Sequence, residues 1–486
     1  MTNQTHHEIS TNVTRSMIVL VSRSGFLQLF SLVGIFFLTQ YLSPKEFGIF
    51  FLVNELVGIL SYFSDVGLSA SLIQQKNIPT LNDLRTSFTI QQLLFGTLCI
   101  TGLVISPLLA HVYGWDNQTI LLWASVLFGF FLASLKTIPS VLIERSLKFE
   151  KLVIVETIET IIFYSIAVVM AIKGFGINSY SFAVIARGVV GLFTIYILSP
   201  WRIGLAWDKS SIKKLLKFGV PYQLNTIIAA IKDRLLNVIL GGVVGPSGLG
   251  YLGWAQTWSQ KPLRFISDNV TRVTFPAISQ IQDNQSKLQS AITKMIFFSA
   301  ASVFPFVVGA AAILDVLIKL IPRYNKWEPA IFLFYLYAIN SLWAAVSTPA
   351  TNALAAIGHI KIVTKLMIMW TILTWLIVAP LGWMYGYEGV AIGVGIISFA
   401  SIIPLLILKK FVNFSFTTAL LPPFLSVTIM GACAVLLSHY MALSWVNLLL
   451  TVTTSAIIYF IALKLMAPVL VNDLIAKFTK SIWPTK

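Results

Sequence analysis

Residues 42–74 read LSPKEFGIFFLVNELVGILSYFSDVGLSASLIQ, and residues 244–280 read VGPSGLGYLGWAQTWSQKPLRFISDNVTRVTFPAISQ. Each opens on a Pro/Gly turn and enters an apolar stretch of the length a membrane helix needs, about 20 residues. Pro44 and Gly48 match Pro246 and Gly250 at one common offset, and Asp65 falls near Asp268 with a slip of one. Further on, Pro139, Lys151 and Gly176 match Pro349, Lys361 and Gly386 at a second common offset. Each match is weak alone, but their shared order points to an internal repeat. Parallel repeats of this kind build transporters whose substrate path runs between the halves.

Composition agrees with a membrane protein. Of 486 residues, 57% are hydrophobic and 11% charged, far too apolar for a soluble chain of this length. We read fourteen spans, at about 16–40, 47–73, 86–110, 118–142, 153–172, 177–199, 212–240, 248–272, 289–321, 329–352, 361–385, 388–408, 415–438 and 443–466. The expected fold is an all-α membrane protein. It divides into a six-helix half (1–200), a second six-helix half (201–410), and two further helices with a tail (411–486). Short turns such as GGVVGPSG and MYGYEG are expected to connect neighbouring spans.

The 34 Lys and Arg against 18 Asp and Glu give a formal charge of +16. The excess follows the positive-inside rule rather than nucleic-acid binding. With both termini cytoplasmic, the outer loops hold only Lys45, Lys173, Lys319, Arg323 and Lys326, and the inner segments hold most of the rest. The first residues, MTNQTHHEISTNVTRS, lack the features of a signal peptide. No phosphate-binding loop, HExxH or Cys/His cluster is present, so no cofactor and no metal is expected. Without a sizeable outer loop for an acceptor sugar, a transporter is favoured over a glycan polymerase or ligase.

Charges within spans are costly and mark a hydrated path or a partner. Span 7 carries Lys232, Asp233 and Arg234, and Asn225, Asp233 and Asn237 fall on a four-residue spacing that keeps to one helix face. Span 8 carries Gln256, Gln260, Arg264 and Asp268 at the same spacing. Arg23 lies about two turns into span 1. The expected path lining is therefore Arg23, Lys232, Asp233, Arg234, Gln260 and Arg264, with Asp65 and Asp268 as coupling or gating acids. Glu159 and Arg187 fall at similar depth and are expected to form a structural pair, with Glu156 a second candidate. Lys136 is expected to reach toward the inner surface. Trp254 and Trp258 share span 8 with the polar row and could serve packing or the path. A net-cationic path suits an anionic, amphipathic cargo such as a lipid-pyrophosphate sugar. A drug or cation antiporter would call for acids instead.

Several stretches resemble the Wzx-type polysaccharide flippases of the multidrug/oligosaccharidyl-lipid/polysaccharide exporter superfamily. YLSPKEFGIF (41–50), FSDVGLSASLIQQ (63–75), IPSVLIERSLKFEKLVIVE (138–156) and FPAISQIQDNQSKLQSA (275–291) are similar to its turns and connectors, in order along the chain. The resemblance implies a V-shaped, alternating-access bundle in the bacterial inner membrane. It also implies movement of undecaprenyl-pyrophosphate-linked oligosaccharide units for O-antigen, capsule or exopolysaccharide assembly, with coupling to an ion gradient. The expected partners are that lipid-linked oligosaccharide, membrane lipids, and a polysaccharide polymerase and chain-length regulator. A peptidoglycan-precursor flippase is a related alternative.

Overall fold

A computed structural model describes residues 25, 27–75 and 77–473; at 222, 224–233, 268–273 and 276 it describes the backbone alone. No strand occurs among the described residues. The helices are α1 (Leu27–Tyr41), α2 (Pro44–Ser64), α3 (Leu68–Gln74), α4 (Leu81–Val104), α5 (Ser106–Tyr113), α6 (Asn117–Leu135), α7 (Thr137–Arg145), α8 (Phe149–Ile172) and α9 (Asn178–Leu198). Then come α10 (Lys209–Gln280), α11 (Gln285–Leu320), α12 (Ala330–Ala356), α13 (Ile360–Leu373), α14 (Ala379–Ser398), α15 (Ile403–Phe411), α16 (Phe416–Tyr440) and α17 (Trp445–Met466). Eleven runs among the described residues are long and apolar enough to cross a membrane, and α1 is a shorter apolar helix.

Two of these runs each cross a glycine kink at which two helices join. The spans read at 212–240 and 248–272 are the two helical parts of α10, which meet at Gly245, whose φ of 70° and ψ of 169° break the helix and are open to glycine without strain. Spans 361–385 and 388–408 likewise fall in one 52-residue apolar run, Ile360–Phe411, bent at Gly386 with φ 60°. GGVVGPSG and MYGYEG are therefore tight connections, each passing from one helix to the next through a glycine in a non-helical conformation.

Polar caps start the helices and explain why several begin before their apolar core. Ser43 and Glu46 close a capping box at α2, with Pro44 in the first turn. Thr80 and Asp83 do the same at α4, which sets its start at Leu81, five residues before the apolar count placed it. Asp116 caps α6, and its carboxylate takes the Thr119 N–H at 2.8 Å. Past the end of α3, the Arg145 guanidinium donates to the carbonyls of Leu72, Ile73, Gln75 and Asn77, satisfying groups that a helix end leaves open.

Packing divides the chain into two compact units, one up to Gly250 and one from Tyr251. In the first, Leu38, Leu52, Val53, Leu122, Trp123 and Tyr180 belong to one buried cluster. Phe50 stacks on Tyr180 at 3.7 Å between centroids, and the Trp123 indole donates to Gly102 O at 2.9 Å. In the second, α11 packs against α12, α16 and α17, and the Tyr459 hydroxyl reaches Ala301 O at 2.7 Å. Trp254 belongs to this interior: it is buried, stacks on Trp327 at 5.6 Å and donates to the Tyr324 hydroxyl at 3.4 Å. Packing explains that tryptophan.

Candidate functional site

Glu55, Gly58 and Tyr62 recur at i, i+3 and i+7, so they share one face of α2. Arg234, on α10, lies across that face. Its Nη1 donates to Glu55 Oε2 at 3.2 Å, and the guanidinium sits 6.0 Å from the Tyr62 ring centroid. Gly58 makes room for it: a Cβ there would stand 1.9 Å from Arg234 Nη1. Glu55 keeps 16% of its side-chain exposure and Arg234 37%, so the pair is neither sealed in nor on an open surface. Each residue lies eleven positions from the nearby turn, Pro44 or Gly245, or about 16 Å along a helix rising 1.5 Å per residue. The pair is therefore near mid-span.

The helices carrying this pair also meet on either side of it. At one end they cross through glycines. A Cβ on Gly48 would fall 1.8 Å from Pro246 O, and one on Gly250 would fall 1.9 Å from Pro44 O. The two Pro/Gly motifs that the repeat matched are thus packed reciprocally against each other, backbone on backbone. Toward the other end, the Gln223 side-chain amide donates to Tyr62 O at 2.5 Å. Beyond it, Gly67 and Gly219 approach so closely that a Cβ on Gly67 would lie 2.2 Å from Gly219 O. No α2–α10 crossing at this spacing tolerates a side chain larger than hydrogen at Gly48 or Gly250.

The other expected path residues divide into several cases. Arg23 lies outside the described residues, as do the side chains of Lys232, Asp233 and Asp268. In the second unit, Arg264 is exposed and its Nη2 donates to Gln260 Oε1 at 3.2 Å, one turn back on α10. Asp65 stands at the C-cap of α2, and its carboxylate accepts the Ser69 hydroxyl at 2.9 Å, the Ser69 N–H, and the Gln91 amide. Glu55 was missed in the sequence reading. Its signal was present, a lone carboxylate mid-span with a glycine three residues on.

Away from the α2–α10 face, Glu159 is buried between two cations. Arg187 Nε lies 3.4 Å from Glu159 Oε2, and Lys136 Nζ contacts Glu159 Oε1. The expectation that Lys136 reaches toward the inner surface is corrected by this contact: a buried carboxylate within reach is a better partner than distant solvent. Gly191 leaves the carboxylate its space, since a Cβ there would lie 1.9 Å from Oε1. Arg187 also lies 6.0 Å from the Phe163 ring centroid. Glu156 is exposed and forms no ion pair among the described residues.

Chemically, the α2–α10 site offers a forked cation with a carboxylate as its present counter-ion. Carboxylate and phosphate satisfy a guanidinium in the same bidentate way, so one can replace the other.

The chain is 24% identical over 365 residues to the lipopolysaccharide biosynthesis protein WzxC of Escherichia coli K12, covering 73% of this chain and 72% of that protein. It is 24% identical over 338 residues to an uncharacterized membrane protein in the cps region of Klebsiella pneumoniae, covering 68% and 67%. Its fold matches that of the lipid II flippase MurJ in an inward closed conformation. That match has a TM-score of 0.75 at 18% identity, over 94% of this chain and all of that one. A family model described as polysaccharide biosynthesis protein matches residues 37–332, more than half of the sequence, and the chain belongs to that family.

Proposed function

We propose that this protein is a flippase for lipid-linked oligosaccharide units. It carries undecaprenyl-pyrophosphate-linked repeat units from the cytoplasmic to the periplasmic leaflet of the bacterial inner membrane, driven by an ion gradient. In this reading the chain crosses the membrane fourteen times with both termini inside, as two six-helix halves and two extra helices in a V-shaped, alternating-access bundle. The path is lined by Arg23, Lys232, Asp233, Arg234, Gln260 and Arg264, and Asp65 and Asp268 take part in coupling or gating. A polymerase and a chain-length regulator receive the product. The observation that carries the reading is Arg234, a partly exposed guanidinium at mid-span paired with the Glu55 carboxylate at 3.2 Å. A cation antiporter of the same fold would need a carboxylate open to its cargo, whereas Glu55 is engaged by Arg234.

The test is surface glycan in a deletion strain complemented at matched protein level. Arg234→Ala is expected to lower glycan tenfold or more. Arg234→Lys should be intermediate, since it keeps charge but loses the fork. Glu55→Gln leaves Arg234 without its anion, so it should hold cargo longer and slow turnover while retaining binding. Full glycan from Arg234→Ala would remove this residue from the mechanism. Efflux of a cationic dye by vesicles holding the protein, with no movement of lipid-linked oligosaccharide, would favour the antiporter.

A further inference from the structure

In the second unit, α13 and α15 flank a cleft of about 540 Å³, within the range of small-molecule sites. Its wall is aliphatic: Leu366 and Met369 from α13, Ile403 and Ile407 from α15. Lys365 and Lys410, both exposed, also line it, with Ile362 and Phe411 beside them. Neither lysine forms an ion pair among the described residues.

The lysines fall at one end of the cleft. Lys365 is one turn before Met369, near the start of α13. Lys410 is one turn after Ile407, at the close of α15. The rings of His359 and Phe411 stack at 3.9 Å, which joins those same two helix ends. At the opposite end both walls leave α-helical geometry. The π-helical turn Thr374–Val378 follows α13, and the 3-10 turn Phe399–Ile402 precedes α15. Changes of pitch of this kind interrupt regular side-chain meshing and are frequent at functional sites. On the same helices Met367, Ile368, Ile372 and Leu406, and Ile402 just before α15, are exposed and apolar. An occupant therefore reaches it from the bilayer rather than from water.

We propose that this cleft binds an anionic glycerophospholipid, with Lys365 and Lys410 on the phosphate and an acyl chain along the aliphatic wall. An apolar slot with cationic groups at one end only matches a molecule with one charged end. Exposed lysines at an interface hold anionic headgroups as point charges, without the fixed geometry an arginine fork would impose. The leaflet is the inner one under the orientation proposed above. Binding itself does not depend on that orientation or on the cargo.

The experiment uses the full chain, purified in a non-ionic detergent, with lipid binding read by native mass spectrometry and by thermal stabilisation. Dioleoyl phosphatidylglycerol is the probe; dioleoyl phosphatidylcholine, glycerol 3-phosphate and a polyprenyl phosphate are the comparisons. Phosphatidylglycerol should bind and raise the melting temperature, with phosphatidylcholine weaker and glycerol 3-phosphate without effect. The double variant Lys365→Gln/Lys410→Gln should weaken phosphatidylglycerol binding about thirtyfold. Lys148→Gln/Lys173→Gln, exposed lysines of the first unit that do not line the cleft, should leave it unchanged. Met369→Trp, which fills the slot and keeps both lysines, should also weaken it. The proposal is overturned by equal binding in the Lys365/Lys410 variant and the parent. It is equally overturned by glycerol 3-phosphate competing as well as the lipid, or by a preference for polyprenyl phosphate that the Lys365/Lys410 variant loses. None of these results bears on whether glycan is flipped.

Discussion

Gly48→Ala puts one methyl group into the crossing of α2 and α10. Its carbon would start 1.8 Å from Pro246 O and 2.5 Å from the Gly250 N, where real contacts begin near 3.0 Å and become ordinary at 3.4 Å. The two backbones must therefore separate by about 1.2–1.6 Å, and neither neighbour is a side chain able to swing aside. Overpacking of this kind costs about 1–3 kcal/mol, which lowers the population of the closed crossing about 5- to 150-fold relative to any state in which it is parted. Alanine is otherwise a better helix former than glycine, by about 0.8–1.0 kcal/mol, so a loss cannot come from helix propensity. The assay is maleimide labelling of Leu52→Cys, a position 1% exposed and packed next to the crossing, after replacing Cys99 and Cys433 by alanine. Gly48→Ala should raise the labelling rate several-fold, and Gly250→Ala should do the same. Because they act on one crossing, the double variant should add little. Gly96→Ala is the control, since nothing stands within 4 Å of its new carbon. Labelling in Gly48→Ala no faster than in Gly96→Ala would refute the steric argument.

The triad of Lys136, Glu159 and Arg187 should be read out as folded yield. Glu159→Gln strands two cations and is expected to cost about 3–5 kcal/mol, seen as a collapse of the monodisperse peak in detergent. Arg187→Ala should be milder, because Lys136 still neutralises the carboxylate, and normal yield from Glu159→Gln would contradict the ion-pair account. Asp116 gives a pH dependence. Hydrogen bonds from the Thr119 hydroxyl and N–H hold its carboxyl below the ordinary value, with Lys45 adding to them and partial burial opposing them. A depressed folded value contributes stability above the unfolded value near 3.9, and that contribution is lost as pH falls through the lower folded one. Asp116→Asn should therefore lower the melting temperature at pH 7 and by progressively less as pH falls below the unfolded value, and a loss that does not change with pH would sink the assignment.

Much of the fold was legible because apolar length is a strong signal. What it missed has local causes. Polar first turns at Thr80–Asp83 and Ser43–Glu46 lengthened helices that hydropathy alone would trim. At Gly245 and Gly386 successive helices join through a single residue of positive φ, so these connections are shorter than the gap in apolar character suggested. At the site, Arg234 was visible as a charge within a span, but its partner was not. Glu55 lies 179 residues away in sequence, and no periodicity along one helix reports what stands opposite it. The same holds for Lys136, whose position near a helix end suggested solvent until the fold brought Glu159 beside it.

Pairing also changes how the cost of Arg234 should be counted. An arginine at mid-span is unfavourable by about 2.5–3.5 kcal/mol on insertion scales, and a free one awaiting cargo would bear that cost in every empty cycle. Glu55 at 3.2 Å already supplies Arg234 with an opposite charge. Under the proposed function, the pyrophosphate then replaces one anion by another instead of neutralising a bare cation, so capture and release differ little in free energy. A carrier needs that near balance, because a site that gained the whole charge pairing on binding would hold its cargo too tightly to let go. Gly58 fits the same economy. It lets the guanidinium lie flat on α2 between Glu55 and Tyr62, and a Cβ there would meet Arg234 Nη1 at 1.9 Å. Gly58→Ala should therefore part Arg234 from Glu55 while leaving both charges present. The observed defect should be that of Glu55→Gln, slow turnover with binding retained, and not that of Arg234→Ala. If Gly58→Ala instead behaves like Arg234→Ala in the glycan assay, the carboxylate is a scaffold for the arginine and not its exchange partner.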